Sequence, residues 1–218
     1  MIENLELVIL DMDGLMFNSE RAYCEAVLEI VKERQIDVDE SVLYKSVGSS
    51  YFDMEKFFYK GAPEGFDMKR ELTGAVNDAV TRMCLEGVPK KPGLDELLAV
   101  LQEKGIKFCV ATSSAIERSG RLLESAGVMP LIEFVITGDE VERGKPFPDI
   151  FVNACEKAGV PREKALVLED SINGGKAAKA AGIRYIIVPD INPPTEEVVE
   201  SALAVVDTLH EVVALIAN

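Results

Sequence analysis

Positive charge is scarce in this chain: 23 lysines and arginines stand against 38 aspartates and glutamates, a formal net charge of -15 over 218 residues. Affinity for nucleic acid is built largely on clustered Lys and Arg, so no nucleic-acid partner is expected. A small anionic substrate is not excluded, but it would need local positive charge. Cysteine is sparse too. Cys24, Cys84, Cys109 and Cys155 lie far apart and form no CxxC pair, which argues for reduced core residues rather than a disulfide or zinc set. The one histidine, His210, lies far along the C-terminal segment and is read as a surface residue rather than a participant. Apolar runs are no longer than a strand, and the first residues, Met1-Ile2-Glu3-Asn4-Leu5-Glu6, are acidic. Neither a transmembrane helix nor a secretion signal is therefore expected, which gives no membrane partner and a cytoplasmic location. Internal repeats and low-complexity segments are lacking as well. What is present, 48% hydrophobic and 28% charged residues, describes a soluble globular protein with one domain, or one domain carrying an insert.

The chain is organised around Leu7-Val8-Ile9-Leu10-Asp11-Met12-Asp13-Gly14. Four consecutive large aliphatics without polar alternation suit a strand buried on both faces of a parallel sheet. The carboxylates begin where such a strand leaves the core, and in open α/β sheets the ligand crevice lies at that edge. Asp11 and Asp13 are two apart, so both lean the same way in an extended segment, and Gly14 permits a sharp turn. Two like charges held close are costly unless a cation joins them. Taken alone, the stretch also suits an ordinary strand followed by an Asx-type turn.

Ser19 with Glu20 reads as a helix start, and Tyr23, Val27, Ile30 and Val31 recur at helical spacing. Residues 21–86 are expected to be purely helical, with Leu72, Val76, Ala79 and Met83 forming another stripe and loops at 47–50 and 61–65. The Gly- and Pro-punctuated segment 87–93 ends this insert. Beyond it helices alternate with strands at 106–111, 134–136, 165–168 and 185–188, followed by an edge strand at 202–206 and a last helix. Alternation of this kind indicates βαβ units. The expected fold is α/β: a Rossmann-like, doubly wound parallel sheet core (1–15 and 91–218) with an inserted small α-helical cap (16–90).

The polar clusters fall at the ends of the central strands. Thr112-Ser113-Ser114 leads into a helix, where hydroxyls and backbone N–H groups suit a phosphate oxygen, or else simply cap the helix. Lys145, between Gly144 and Pro146, can bind an anion as a point charge, or can be a solvated loop lysine. Glu169 and Asp170 can complete an oxygen-ligand set with Asp11, the kind Mg²⁺ takes when phosphate and water fill the other places; Glu-Asp-Ser can equally cap the next helix. The alternatives are each sound, but they do not explain why every cluster falls at one sheet edge. Together the clusters make a phosphoryl-transfer site.

In their order, Asp11-Met12-Asp13-Gly14, helical cap, Thr112-Ser113-Ser114, Gly144-Lys145-Pro146 and Glu169-Asp170-Ser171 resemble the haloacid dehalogenase superfamily, in its branch of small-capped phosphatases and phosphomutases such as beta-phosphoglucomutase. The resemblance covers essentially the whole chain. It implies that Asp11 is the nucleophile and becomes an aspartyl phosphate, and that Asp13 is the acid and base. It implies that Thr112 and the Ser113 N–H hold the phosphoryl group, beside Ser114, while Lys145 neutralises charge. It further implies Mg²⁺ on Asp11, the Asp13 carbonyl and Asp170, with Glu169 a direct ligand or one water removed. The cap would close on hinges at 15–19 and 86–92. Its loop Gly48-Ser49-Ser50-Tyr51 would face the substrate, with Glu20 near the hinge.

Three departures bear on function. Relatives acting on sugar phosphates often carry an Arg in the cap loop, where Tyr51 stands here; a His after the hinge is matched by Tyr23 or a neighbour; and Asn18 replaces a hinge acid. They weaken a mutase reading and leave the nucleophile machinery intact. The expected function is Mg²⁺-dependent hydrolysis of a small phosphorylated metabolite, a sugar phosphate, by a monomer or weak homo-oligomer. The alternatives are a phosphosugar mutase and, from another class, a non-catalytic phosphometabolite-binding protein.

Overall fold

The apolar run at the start of the chain becomes β1 (Leu7–Leu10), and all four of its residues are fully buried. Alternation sends Leu7 and Ile9 into the core beneath one face of the sheet, and Val8 and Leu10 into the core beneath the other. The computed structural model describes residues 2, 4–36, 40, 43, 44 and 67–217. The expected loops at 47–50 and 61–65, and with them Gly48, Ser49, Ser50 and Tyr51, lie outside the described residues.

The remaining elements are α1 (Ser19–Glu33), α2 (Met68–Glu86), α3 (Leu94–Glu103), β2 (Lys107–Thr112), α4 (Ile116–Ser125), β3 (Val135–Thr137), α5 (Asp149–Ala158), β4 (Ala165–Glu169), α6 (Ile172–Ala181), β5 (Arg184–Ile187), α7 (Glu196–Ser201), β6 (Ala204–Val205) and α8 (Leu209–Ala217). The strands form one parallel sheet in the order β3-β2-β1-β4-β5-β6, with helices on both faces, as expected. Leu94, Leu97, Leu98 and Leu101 of α3, with Leu209, Val212 and Ile216 of α8, cover one face. Ile150, Phe151 and Ala154 of α5, with Ala177, Ala178 and Ala181 of α6, cover the other.

Three strands run one residue beyond the expected apolar segments, and those extra residues include polar ones. Thr112 pairs with Thr137, and Glu169 with Ile187. Ladder hydrogen bonds depend on the backbone, so a polar side chain does not end a strand; it is instead held rigidly at the sheet edge. No helix among the described residues is long and apolar enough to cross a membrane. Cys24, Cys109 and Cys155 are buried and Cys84 is half-buried, all as free thiols, and His210 is exposed, 3.5 Å from Glu96.

Residues of α1 and α2, including Val27, Val31, Leu72 and Val76, build an apolar cluster of their own. Further along α2, Val80 and Met83 leave it and join Met12, Leu15, Met16 and Phe17 in the core of the sheet domain. The two chain segments that cross between these clusters are tied together: Asn18 N–H donates to the Pro89 carbonyl and Lys91 N–H to the Met16 carbonyl, both at 2.9 Å. The two segments expected as hinges thus lie side by side, joined by a short antiparallel bridge between Phe17 and Lys90.

Candidate active site

Asp11 continues β1 by one residue, its N–H donating to the Leu168 carbonyl at 3.0 Å. Asp11 is buried, and its carboxylate meets Lys145, which the loop before α5 carries in from across the sheet edge. The same Nζ reaches Glu169 Oε1 at 2.6 Å and the Ala111 carbonyl at 3.0 Å, and stands 5.0 Å from the centre of the Phe151 ring. Arg143 braces that loop through a two-bond contact with Asp149, at 3.1 and 2.9 Å. Lys145 is thus a buried cation shared between two carboxylates, not a solvated loop residue.

Glu169 has little capacity left after Lys145. Its Oε2 accepts from the N–H groups of Asp170 and Ser171, each at 3.0 Å, and from Ser171 Oγ at 2.9 Å. Ser171 in turn caps α6 by accepting from Gly174 N–H at 3.0 Å. A Cβ on Gly174 would fall inside the Glu169 carboxyl group, so glycine is required there by close approach. Gly174→Ala is expected to lower stability by about 1–3 kcal/mol, as overpacking does, and to lower turnover by displacing Glu169. Thermal melts and rates on the same variant check this.

Past Asp11 the backbone turns sharply. Met16 N–H donates to the Met12 carbonyl and Gly14 N–H to the Phe17 carbonyl, both at 2.9 Å, and Gly14 takes φ +88. A side chain at Gly14 would also collide with the Asp170 carboxyl and approach Glu20 Oε2 to 3.2 Å. The turn swings Asp13 under three hydroxyl donors: Ser19 at 2.5 Å, Tyr23 at 3.0 Å and Ser114 at 2.5 Å. Thr112 is buried, its hydroxyl accepting from Ser114 N–H at 3.1 Å, and Ser113 is exposed. The N-cap positions of the adjacent helices fall on Asn18 and Ala115, and the Ser19 and Ser114 hydroxyls both donate to Asp13 instead.

A match to the model of the haloacid dehalogenase-like hydrolases runs over residues 8–188, from β1 to the end of β5. The chain belongs to that family. It is 30% identical over 195 residues to the phosphorylated carbohydrates phosphatase of Thermotoga maritima, covering 86% of this chain and 88% of the relative. The crystal structure of CbbY from Rhodobacter sphaeroides in complex with phosphate superposes with a TM-score of 0.82 at 26% identity, over 95% and 96% of the two chains. That of a beta-phosphoglucomutase homologue from Thermotoga maritima gives 0.77 at 27%, over 98% and 99%. The family expected from the ordered motifs stands, and so does the enzyme class, a hydrolase of phosphate esters.

In this haloacid dehalogenase-like hydrolase the pocket gathers Asp11, Asp13, Glu20, Glu169 and Asp170 around few cations. Burial, and then Glu169 and Asp13, push Asp11 up to about 7 against the opposing pull of Lys145. Half-buried Glu20 is pushed up to about 9, by burial first and then by Asp13, Asp11 and Asp190. Asp170 is raised well above the ordinary carboxylate range by burial, then by Glu169, Glu20 and Asp11. Burial alone would lower Lys145, but Asp11 and Glu169 outweigh it and hold the ammonium charged. Burial and Asp13 likewise keep Tyr23 a neutral donor.

Hydrolases of this family generally depend on a metal ion. Among the described residues no three His, Cys, Asp or Glu side chains converge into a ready-made cage. Mg²⁺ does not require one, since it is commonly held by one or two carboxylates with substrate phosphate and water. Asp170 supplies the test of fit: its carboxylate is buried and faces other acids. A hard dication between Asp11 and Asp170 would remove that mismatch. Glu169 is already engaged by Lys145 and the start of α6.

Ser19, Tyr23 and Arg118 are the residues whose part in the site the motifs did not disclose. Arg118 Nη2 donates to Ser114 Oγ at 2.7 Å, and its guanidinium lies 5.3 Å from the centre of the Tyr23 ring. Its spacing of four from Ser114, at a helix start, was the available signal.

Proposed function

We propose that this chain is a Mg²⁺-dependent phosphatase that hydrolyses a small phosphorylated sugar through an aspartyl phosphate on Asp11. The observation that carries the proposal is the placement of Lys145 between Asp11 and Glu169, with Asp13 two residues on and the β2 hydroxyl loop alongside. Sugar phosphates are favoured because the Thermotoga relative is named for phosphorylated carbohydrates.

Asp11 attacks phosphorus, forming an O–P bond as the bond to the leaving oxygen breaks, and Asp13 gives that oxygen a proton. Water then attacks the phosphorus, Asp13 takes a proton from it, and the bond to Asp11 breaks to release phosphate. Proton transfer of this kind contributes roughly 10²- to 10⁴-fold. Lys145 occupies one Asp11 oxygen and leaves the other to attack, while its charge offsets that of the phosphoryl group. Thr112 and the Ser113 N–H bind the phosphoryl oxygens. Mg²⁺, held by Asp11, Asp170 and the Asp13 carbonyl, would neutralise charge on the transferring group. The helical insert at 16–90 acts as the cap that selects the substrate and excludes water.

The test is phosphate release from a panel of phosphorylated metabolites, with and without Mg²⁺ and with Asp11→Asn as the blank. Interconversion of glucose 1-phosphate on adding a bisphosphate primer, with no release, would instead establish the mutase. A melt separates out the metal site. Mg²⁺ at about 100 times its Kd stabilises the folded state by about 2.7 kcal/mol through mass action, and Asp170→Ala is expected to abolish that gain. An equal gain in the variant would remove Asp170 from the site.

A further inference from the structure

The hydroxyls on Asp13 divide unequally between its two oxygens. Oδ1 accepts from both Ser19 and Tyr23, at 2.5 and 3.0 Å, and so has both acceptor positions filled from α1. Among the described residues Oδ2 accepts only from Ser114, at 2.5 Å, leaving one position open. A proton passed to a leaving group has to travel through that open position, and its direction is set by where Ser114 holds Oδ2.

Arg118 governs Ser114. Its Nη2 donates to Ser114 Oγ at 2.7 Å, and guanidinium has no acceptor, so the single hydroxyl proton of Ser114 is directed at Asp13. The guanidinium also lies against the Tyr23 ring, whose hydroxyl binds the other oxygen of the same carboxylate. Arg118 therefore closes a ring through Ser114, Asp13 and Tyr23 that joins α4 to α1. Arg118 Nε is buried without a hydrogen-bond partner among the described residues, a cost that stability alone does not explain.

We propose that Arg118 is a positioning residue for Asp13, aiming the open acceptor position of Oδ2 at the leaving-group oxygen. The proposal rests on the reading of Asp13 as the proton donor. It predicts a loss that depends on the leaving group, because only a basic alkoxide needs a proton from Asp13. Benzyl phosphate and 4-nitrophenyl phosphate are similar in size but opposite in this respect.

In Arg118→Met, kcat/KM for benzyl phosphate is expected to fall about 10- to 100-fold, part of the general-acid contribution, and that for 4-nitrophenyl phosphate by less than about threefold. Ser114→Ala, which cuts the same link without removing a charged side chain, should reproduce the pattern. Adding Arg118→Met to Ser114→Ala should then cost little more, since the route from Arg118 to Oδ2 runs through Ser114. Equal losses on both esters, or losses that multiply in the double variant, would overturn the assignment. Asp11→Asn measured alongside separates the two levels: activity surviving there removes the phosphatase reading itself, whereas its absence together with uniform losses in Arg118→Met removes only the role of Arg118.

Discussion

Replacing Asp11 by Asn is expected to abolish phosphate release while leaving the fold intact. The amide is nearly isosteric and its oxygen can still accept from Lys145, so the contact between the β1 end and the loop before α5 survives. Lys145 also retains Glu169 at 2.6 Å and the Ala111 carbonyl at 3.0 Å. Loss of one carboxylate from a pocket that also holds Asp13, Glu20, Glu169 and Asp170 relieves like-charge crowding, so the melting temperature should hold or rise. Chemistry responds differently, because an amide oxygen is a poor nucleophile and no other acid takes the position of Asp11. The expected loss in kcat is on the order of 10⁴-fold or more, the scale seen when a nucleophile is removed. Phosphate release and thermal melts on the same preparation check both halves, and retention of most activity would end the assignment of Asp11.

Lys145→Ala is expected to act on stability and activity together. The side chain is 5% exposed, and it bridges Asp11 and Glu169, whose side chains are 9% and 0% exposed. Removing one partner from a buried ion pair leaves an uncompensated charge and costs about 3–5 kcal/mol. Here two carboxylates lose their cation at once. Lys145→Met, which keeps most of the volume, distinguishes lost charge from lost packing and is expected to be nearly as destabilised. Adding Glu169→Gln to Lys145→Ala should restore part of the loss, because one of the two stranded charges is then neutral. Denaturation without Mg²⁺ measures these differences, and a Lys145→Ala protein as stable as the parent would show that the ion pair is not formed. Turnover should fall in all three variants.

Much of this protein could be read from its order of residues. Residues 7–10 are apolar without interruption because both faces of a central parallel strand are covered, and the acids begin where that cover stops. The alternation of helix and strand reflects the crossover each parallel pair requires, so the sheet and its helical layers followed from local pattern. Asp11, Thr112, Lys145, Glu169 and Asp170 were recognisable because they sit at strand ends or on a short loop, positions defined by nearby sequence.

Contacts between elements distant along the chain belong to tertiary structure alone. Glu169 has the same identity whether it binds a metal or a lysine; only the approach of the Lys145 loop and of the α6 start at Gly174 commits it. Ser19 and Ser114 look like helix caps, yet their hydroxyls turn to Asp13 because the 12–17 turn carries that carboxylate between α1 and α4. Lys91 and Asp190, 99 residues apart, meet at 2.7 Å for a similar reason. Local sequence determines where a strand ends and which residue stands there. Which side chain that residue meets depends on the packing of whole helices, and it is this packing that gathers the acids of the sheet edge around one buried lysine.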